Sequence, residues 1–143
     1  MSSAPAGLPG TWSLVSITHY FADGRIQHSF TEGDGVLVLD AAGHFTQVLI
    51  RGDLPAFASA NRDTPTPEES LALSRGSLTF FGTYAVDQAG EILTFRIRRS
   101  SFPNWNGQDQ ARRITTLTDT DLRIVAAAAT VGARGEQIWR RLG

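Results

Sequence analysis

Short stretches of β-forming residues, each closed by a turn, recur along almost the whole chain and restrict the choice of fold. Residues 36–40, for example, end at the turn Ala41-Ala42-Gly43, and the chain then returns along residues 44–50. About nine such stretches follow one another, at the spacing of roughly 8–12 residues that is typical of sandwiches and barrels. The sequence therefore predicts an all-β, antiparallel domain.

Residues 51–76 depart from this pattern and predict one short helix. The segment carries three prolines and ends in Thr66-Pro67-Glu68-Glu69. Thr66 can cap a helix, Pro67 suits its first turn, and Glu69 completes a capping box. Gly76 is a natural stop, so we expect the helix over 67–75.

The excursion is longer than an ordinary hairpin loop, and segments of this kind are often lids or binding loops. We expect the helix over 67–75 to lie across one end of the barrel and to control access through Leu71, Leu73 or Phe57. Residues 1–8 have little to bury and are expected to form a flexible leader. The folded domain is then expected over residues 9–143.

Composition excludes several classes of function. The net charge of −1 gives no electrostatic footprint for nucleic acid, and the apolar stretches are too short to span a bilayer. Cysteine is absent, which removes disulfides, thiol nucleophiles and zinc–thiolate sites. All 13 residues counted as Lys or Arg are arginine, which excludes Schiff-base formation and general-base catalysis by lysine.

We therefore expect no cofactor and neither a nucleic-acid nor a membrane partner. The first residues lack the basic and apolar regions of a secretion signal, so the expected location is the cytoplasm. The oligomeric state stays open, with a homodimer among the alternatives.

Three blocks of the sequence, in the same order, resemble the bacterial and fungal lipocalin-like domain family. They are Gly10-Thr11-Trp12-Ser13-Leu14-Val15-Ser16, Phe81-Gly82-Thr83-Tyr84-Ala85-Val86-Asp87, and Phe102-Pro103-Asn104-Trp105-Asn106-Gly107 with Gln110 and Arg112. The resemblance implies a lipocalin-like, up-and-down β-barrel of eight to ten strands around a cavity for a small molecule. It implies no single activity, because related barrels serve as carriers and as cofactor-free enzymes.

Trp12 stands at the head of the first predicted strand. In barrels of this kind such a tryptophan often seals the closed end, with an arginine of the last strand stacked on its ring. We expect Trp12 to be buried there in contact with Arg140 or Arg141.

Arginine doublets mark the strands on either side of the Pro-Asn-Trp loop. If that hairpin is centred at residues 105–106, Arg99 lies opposite Arg112 and Arg98 lies opposite Arg113. The apolar residues of both strands fall on the face that carries Arg99 and Arg112, so this pair is expected to point inward. Opposed like charges need an anion, either a carboxylate such as Asp109 or a ligand. Alternatively, both strands fray near the loop and all four arginines lie in solvent, since a one-residue slip or a bulge exchanges the two faces.

With a tight turn at residues 88–89, the preceding strand places Phe80 and Tyr84 on the same inward face, whereas a bulged turn at Gly90 would favour Phe81 and Thr83. Asn104 and Trp105 edge this site. The residues that we expect to bind a ligand are Phe80, Tyr84, Phe95, Ile97, Arg99, Asn104, Trp105, Arg112 and Ile114.

Histidines and serines give weaker signals. His19, His28 and His44 lie on separate elements without a metal-ligand spacing, so no metal site is expected. No Gly-x-Ser-x-Gly motif is present. His19 or His44 could still act as a general base near a barrel mouth.

Two functions remain. The first is binding of a small, largely apolar molecule with a polar or anionic end. The alternative is a cofactor-free isomerase, cyclase or lyase, of the kind found in biosynthesis, which uses Tyr84, a histidine and inward arginines. The sequence does not decide whether the protein is an enzyme.

Overall fold

The β-forming stretches of the sequence fold into nine strands in the described part of the chain. The computed structural model describes residues 5–126 and 133–143. The strands of this part are β1 (Gly10–Phe21), β2 (Ile26–Phe30), β3 (Gly35–Leu39), β4 (His44–Ile50), β5 (Ser77–Val86), β6 (Ile92–Ser100), β7 (Asp109–Leu117), β8 (Asp121–Ala126) and β9 (Ala133–Arg141). One α-helix, α1 (Pro67–Gly76), and a single 3₁₀ turn (Pro103–Trp105) complete the described elements.

The strands form one antiparallel sheet that closes on itself. Consecutive strands from β3 to β9 are neighbours, and β9 pairs with β1 to complete the barrel. Both β2 and β3 pair with the same edge of β1, so together they form one position of the barrel wall, interrupted at residues 31–34. Closure removes most free sheet edges. The predicted all-β, lipocalin-like architecture of eight to ten strands with one short helix is confirmed.

The closed end of the barrel is sealed as the sequence predicted. Trp12 is fully buried, and the guanidinium carbon of Arg141 lies 4.2 Å from the centre of its ring. The indole Nε1 donates to the carbonyl oxygen of Leu8 at 3.0 Å. Leu8 is itself fully buried, so the core begins one residue before the predicted boundary at residue 9. The first four residues of the expected leader lie outside the described part of the chain.

Helix α1 begins as predicted and ends one residue later than expected. The Thr66 side chain accepts from the Glu69 amide, and the Glu69 carboxylate accepts from the Thr66 amide. At the other end, Gly76 is buried against Leu54, where a Cβ would collide with the leucine side chain. The helix then runs directly into β5.

The register of β6 and β7 differs from the prediction. Leu93, rather than Arg99, is the partner of Arg112. The turn between these strands is longer than a tight hairpin, because it includes the 3₁₀ turn and continues to Gln108. The expected opposition of Arg99 and Arg112 is therefore wrong.

Candidate functional site

The interior is filled near Trp12 and opens into a cavity toward the other end of the barrel. The cavity has a volume of about 480 Å³. Its apolar walls include Ile17, Phe30, Leu49, Leu78, Phe80 and Trp105. Its polar side chains are His19, Gln47, Gln110, Arg112 and Gln137.

Arg112 reaches this cavity from β7 and is partly buried. Its guanidinium donates to the Ala111 carbonyl oxygen at 3.1 Å and to Oε1 of Gln110 at 2.6 Å. Both acceptors are neutral, and within the described residues no carboxylate forms an ion pair with Arg112. Burial lowers the pKa of Arg112, yet a guanidinium stays charged at neutral pH. The cavity therefore holds a cation without a protein counter-ion in the part described.

Asp109, the carboxylate considered for that role, lies elsewhere. It faces outward and approaches Arg96 at 3.6 Å on the exposed side of the sheet. Alternation along β7 explains this, because Asp109 and Arg112 are an odd number of residues apart and so point to opposite faces.

Gln47 enters the cavity from β4 and is almost completely buried, at 1% exposure. Neither its amide nitrogen nor its amide oxygen has a hydrogen-bond partner among the described residues. The sequence reasoning missed this residue. The signal was present, since Gln47 interrupts the inward-facing apolar series of Phe45 and Leu49.

His19 lines the same cavity from β1. Its Nδ1 lies 2.8 Å from the hydroxyl oxygen of Ser29 on β2. Burial lowers the pKa of His19, so the neutral imidazole is favoured at pH 7.

Small residues separate His19 from Arg112 along the barrel wall. Gly135 is the partner of both His19 and Ala126 in the sheet, and Ala126 and Gly135 also line the cavity. At this level of the barrel, β8 and β9 therefore place the small residues Ala126 and Gly135 between His19 and Arg112.

Aromatic rings form another wall. Phe80 and Trp105 meet edge to face, with ring centres 5.4 Å apart, and Phe102 packs on Trp105 at 5.7 Å. The 3₁₀ turn carries Trp105 back over the barrel end, which is how this loop residue reaches the core.

Three of the residues expected to bind a ligand line this cavity: Phe80, Trp105 and Arg112. Their role in binding stays a prediction. Four others belong to the side chains packed in or against the apolar core and do not line the cavity, namely Tyr84, Phe95, Ile97 and Ile114.

Tyr84 faces the interior of the barrel but does not line the cavity. Its hydroxyl donates to the Asp40 carbonyl oxygen at 2.6 Å, in the turn that joins β3 and β4. Burial, and next the charge of Asp40, raise the pKa of Tyr84. The hydroxyl is thus hydrogen-bonded to this turn and does not point into the cavity.

Arg99 and Asn104 lie on the outer surface, contrary to expectation. Both are exposed. A β-bulge shifts the pairing of β5 with β6 between Phe81 and Gly82, so that Arg99 pairs with the exposed Phe81. The bulge inserts one residue and so reverses the face on which Arg99 stands.

The outward side of this bulge forms a second concavity of about 620 Å³. Phe81, Arg98 and Arg99 are among its lining residues. It is an open groove between exposed side chains, whereas the interior cavity contains the buried polar groups.

The helix stands at the rim of the interior cavity without entering it. Ser74 and Arg75 lie beside Phe30 and Phe102 in a shallow groove next to the mouth. Leu71 and Leu73 are 49% and 43% exposed. Neither these leucines nor Phe57 line the cavity, and the control of access through them stays a prediction.

Among the described residues, no group of three or more histidine, cysteine, aspartate or glutamate side chains is placed to hold a metal ion. No helix in residues 5–126 and 133–143 has the length and apolar character needed to cross a membrane.

The fold and this interior site define a small, closed antiparallel barrel with a cavity open toward one end. Residues 9–141 match the family model of the lipocalin-like domain, and the chain belongs to that family. Among solved structures, it is similar to a de novo designed fluorescence-activating β-barrel, with 14% identity, a TM-score of 0.49 and coverage of 99% of both chains. No curated protein matches the sequence.

Proposed function

We propose that the protein binds a small, largely apolar molecule with an anionic end in the barrel cavity. The anionic group, a carboxylate or an enolate oxygen, is held by Arg112. The apolar part lies between the aromatic wall of Phe80 and Trp105 and the small-residue wall of Ala126 and Gly135.

The observation that carries this proposal is the partly buried guanidinium of Arg112, whose hydrogen-bond acceptors among the residues that the structure describes are neutral. Removing a cation from water is costly unless a partner compensates it. A carboxylate fits because it can accept two parallel hydrogen bonds from one guanidinium.

The rest of the cavity supports a ligand of this kind. Its volume of about 480 Å³ falls in the usual range for small-molecule sites, which is roughly 300–1,000 Å³. Such sites combine apolar walls with a few placed polar groups, as this cavity does.

The test compares two molecules that share a ring system and differ in charge. 2-Naphthoic acid and 2-naphthalenemethanol are titrated into the protein by calorimetry. The acid is expected to bind at least about tenfold more tightly, the difference of one charge-assisted hydrogen-bonded contact. Arg112→Met should remove this difference.

Arg113→Met is the matched control, because Arg113 is the adjacent residue and lies exposed on the outer face. It should bind both molecules as the unchanged protein does. Equal losses in the two variants, or equal affinities of acid and alcohol in the unchanged protein, would refute the proposal.

A second candidate function, catalysis without a cofactor, is favoured because His19 and Arg112 line the same cavity. A neutral imidazole and a guanidinium that line one cavity are the groups that a cofactor-free isomerase needs, the first to accept a proton from carbon and the second to stabilise the enolate. The same proton would return to a neighbouring atom of the substrate. Deuterium exchange at the carbon next to the carboxylate of a bound 2-arylacetic acid, absent in His19→Gln, would support catalysis over binding.

A further inference from the structure

Gln47 is a buried amide without a partner in the part of the chain that the structure describes. Its sheet neighbours are Leu37 on β3 and Phe80 on β5, whose side chains are apolar and buried. A glutamine amide can donate two hydrogen bonds and accept two. In a folded protein most buried polar atoms are satisfied, so an orphaned pair needs an explanation.

The position of Gln47 supplies one. It lines the same cavity as Arg112, which places its amide at a site where a small molecule can satisfy it. Gln47 and Arg112 each stand three residues inside the strand end that faces the open rim. β4 and β7 are separated by two further strands, so the two groups approach the cavity from different sides.

We infer that the ligand carries a second polar group, which is uncharged and is recognised by Gln47. The group both donates and accepts, as a hydroxyl or a carboxamide does, and it stands at the end of the molecule away from the acid. The ligand class is thus a compact acid with an apolar middle and a neutral polar end. This inference rests on the proposed function for the acidic end.

A charged second group would not fit this side of the cavity. The amide of Gln47 is neutral, and the neighbouring Leu37 and Phe80 offer nothing to stabilise a charge. A fully apolar end would leave the amide unsatisfied, and sites with buried polar groups discriminate strongly against ligands that cannot pair with them.

The test uses 2-naphthoic acid and its 5-, 6- and 7-hydroxy derivatives, titrated by calorimetry. In the unchanged protein at least one hydroxy acid should bind roughly tenfold more tightly than the parent acid, because its hydroxyl satisfies the buried amide. In Gln47→Leu this preference should disappear or reverse. Thr46→Leu, on the exposed face of the same strand, should keep it.

Two results would overturn the inference. One is that no hydroxy acid binds more than threefold better than the parent acid. The other is that Gln47→Leu keeps the preference, which would mean that internal water rather than the ligand satisfies the amide of Gln47. Gln47→Met, whose side chain has a similar shape, guards against a packing defect and should behave as Gln47→Leu does.

Failure of the proposed function gives a different result. If Arg112 does not bind the acid, Arg112→Met leaves the affinity of every acid unchanged. If it does, Arg112→Met weakens all four acids but keeps the ranking that Gln47 sets.

Discussion

At the scale of single residues, the stacked pair of Trp12 and Arg141 stabilises the closed end of the barrel. Trp12 is fully buried, and Arg141 covers its ring while donating to the carbonyl oxygens of Pro9 at 3.1 Å and Asp119 at 2.8 Å. The arginine therefore ties the first and last strands to a turn and to the start of the chain. The sequence predicted that Trp12 contacts Arg140 or Arg141, and the structure shows that the partner is Arg141.

Trp12→Ala should lower the free energy of unfolding by about 3–5 kcal/mol, the usual cost of removing a large aromatic side chain from a core. Chemical denaturation measures this directly. Phe81→Ala is the control, because Phe81 is 46% exposed and its loss should cost far less. A small effect of Trp12→Ala would contradict its role as the seal.

His19 should make stability depend on pH. Burial lowers its pKa below the unfolded value of about 6.5, so between the two pKa values the unfolded chain binds the extra proton. Stability should therefore fall as pH decreases below 6.5, and this loss should end below the folded-state pKa.

His19→Gln, which can still bond to Ser29, should lose less stability over this range. The melting temperatures of both proteins between pH 5 and about 7.5 give the comparison. Parallel profiles would show that His19 does not titrate differently in the folded protein.

Sequence reasoning located Arg112 but not Gln47, for a physical reason. The arginine doublets prompt a comparison of two strands, whereas Gln47 is one neutral residue between Phe45 and Leu49, and the break in that apolar series does not by itself show that the side chain is buried. Only the neighbouring strands show that Leu37 and Phe80 enclose it.

Among the elements, the β-bulge between β5 and β6 decides which arginine faces the cavity. Period-2 alternation predicts the inward face of a strand only while pairing stays regular. The extra residue at the bulge turns Arg99 outward, and the longer turn moves the register of β7. Arg112 still faces inward because the register moved by an even number of residues.

Gly82 makes this bulge possible. A Cβ at that position would collide with the carbonyl oxygen of Arg96 on β6. Gly82→Ala should therefore destabilise the barrel by about 2 kcal/mol or more. Thermal unfolding tests this, with Thr83→Ala, an exposed neighbour on the same strand, as the mild control. An unchanged melting temperature for Gly82→Ala would mean that the close approach is not required.

The excursion that contains α1 should affect ligand exchange more than stability. Its helix end lies beside Phe30 and Phe102 at the rim, whereas most residues of the helix are exposed. Replacing residues 55–75 with a short glycine-rich turn should speed the release of 2-naphthoic acid in stopped-flow measurements. A large drop in melting temperature with unchanged release would assign the segment a structural role instead.

For the molecule as a whole, closure of the barrel separates the interior cavity from the groove on the outer surface. The interior cavity contains Arg112, Gln47 and His19 among apolar walls, and the outer groove contains Phe81 and Arg99 on an exposed face. Turn positions, strand periodicity and the resemblance of three blocks were enough to predict the barrel, because they depend on local sequence. Which arginine lines which concavity depends on strand register and on bulges, and these are set by pairing between strands.

The central claim is that the interior cavity, rather than the outer groove, takes an anionic molecule. A crystal structure of the protein soaked with 2-naphthoic acid tests it most directly. We predict density for the acid inside the barrel, with its carboxylate within hydrogen-bond distance of the Arg112 guanidinium and its rings beside Phe80 and Trp105. Density in the outer groove beside Arg99, with none near Arg112, would contradict the claim.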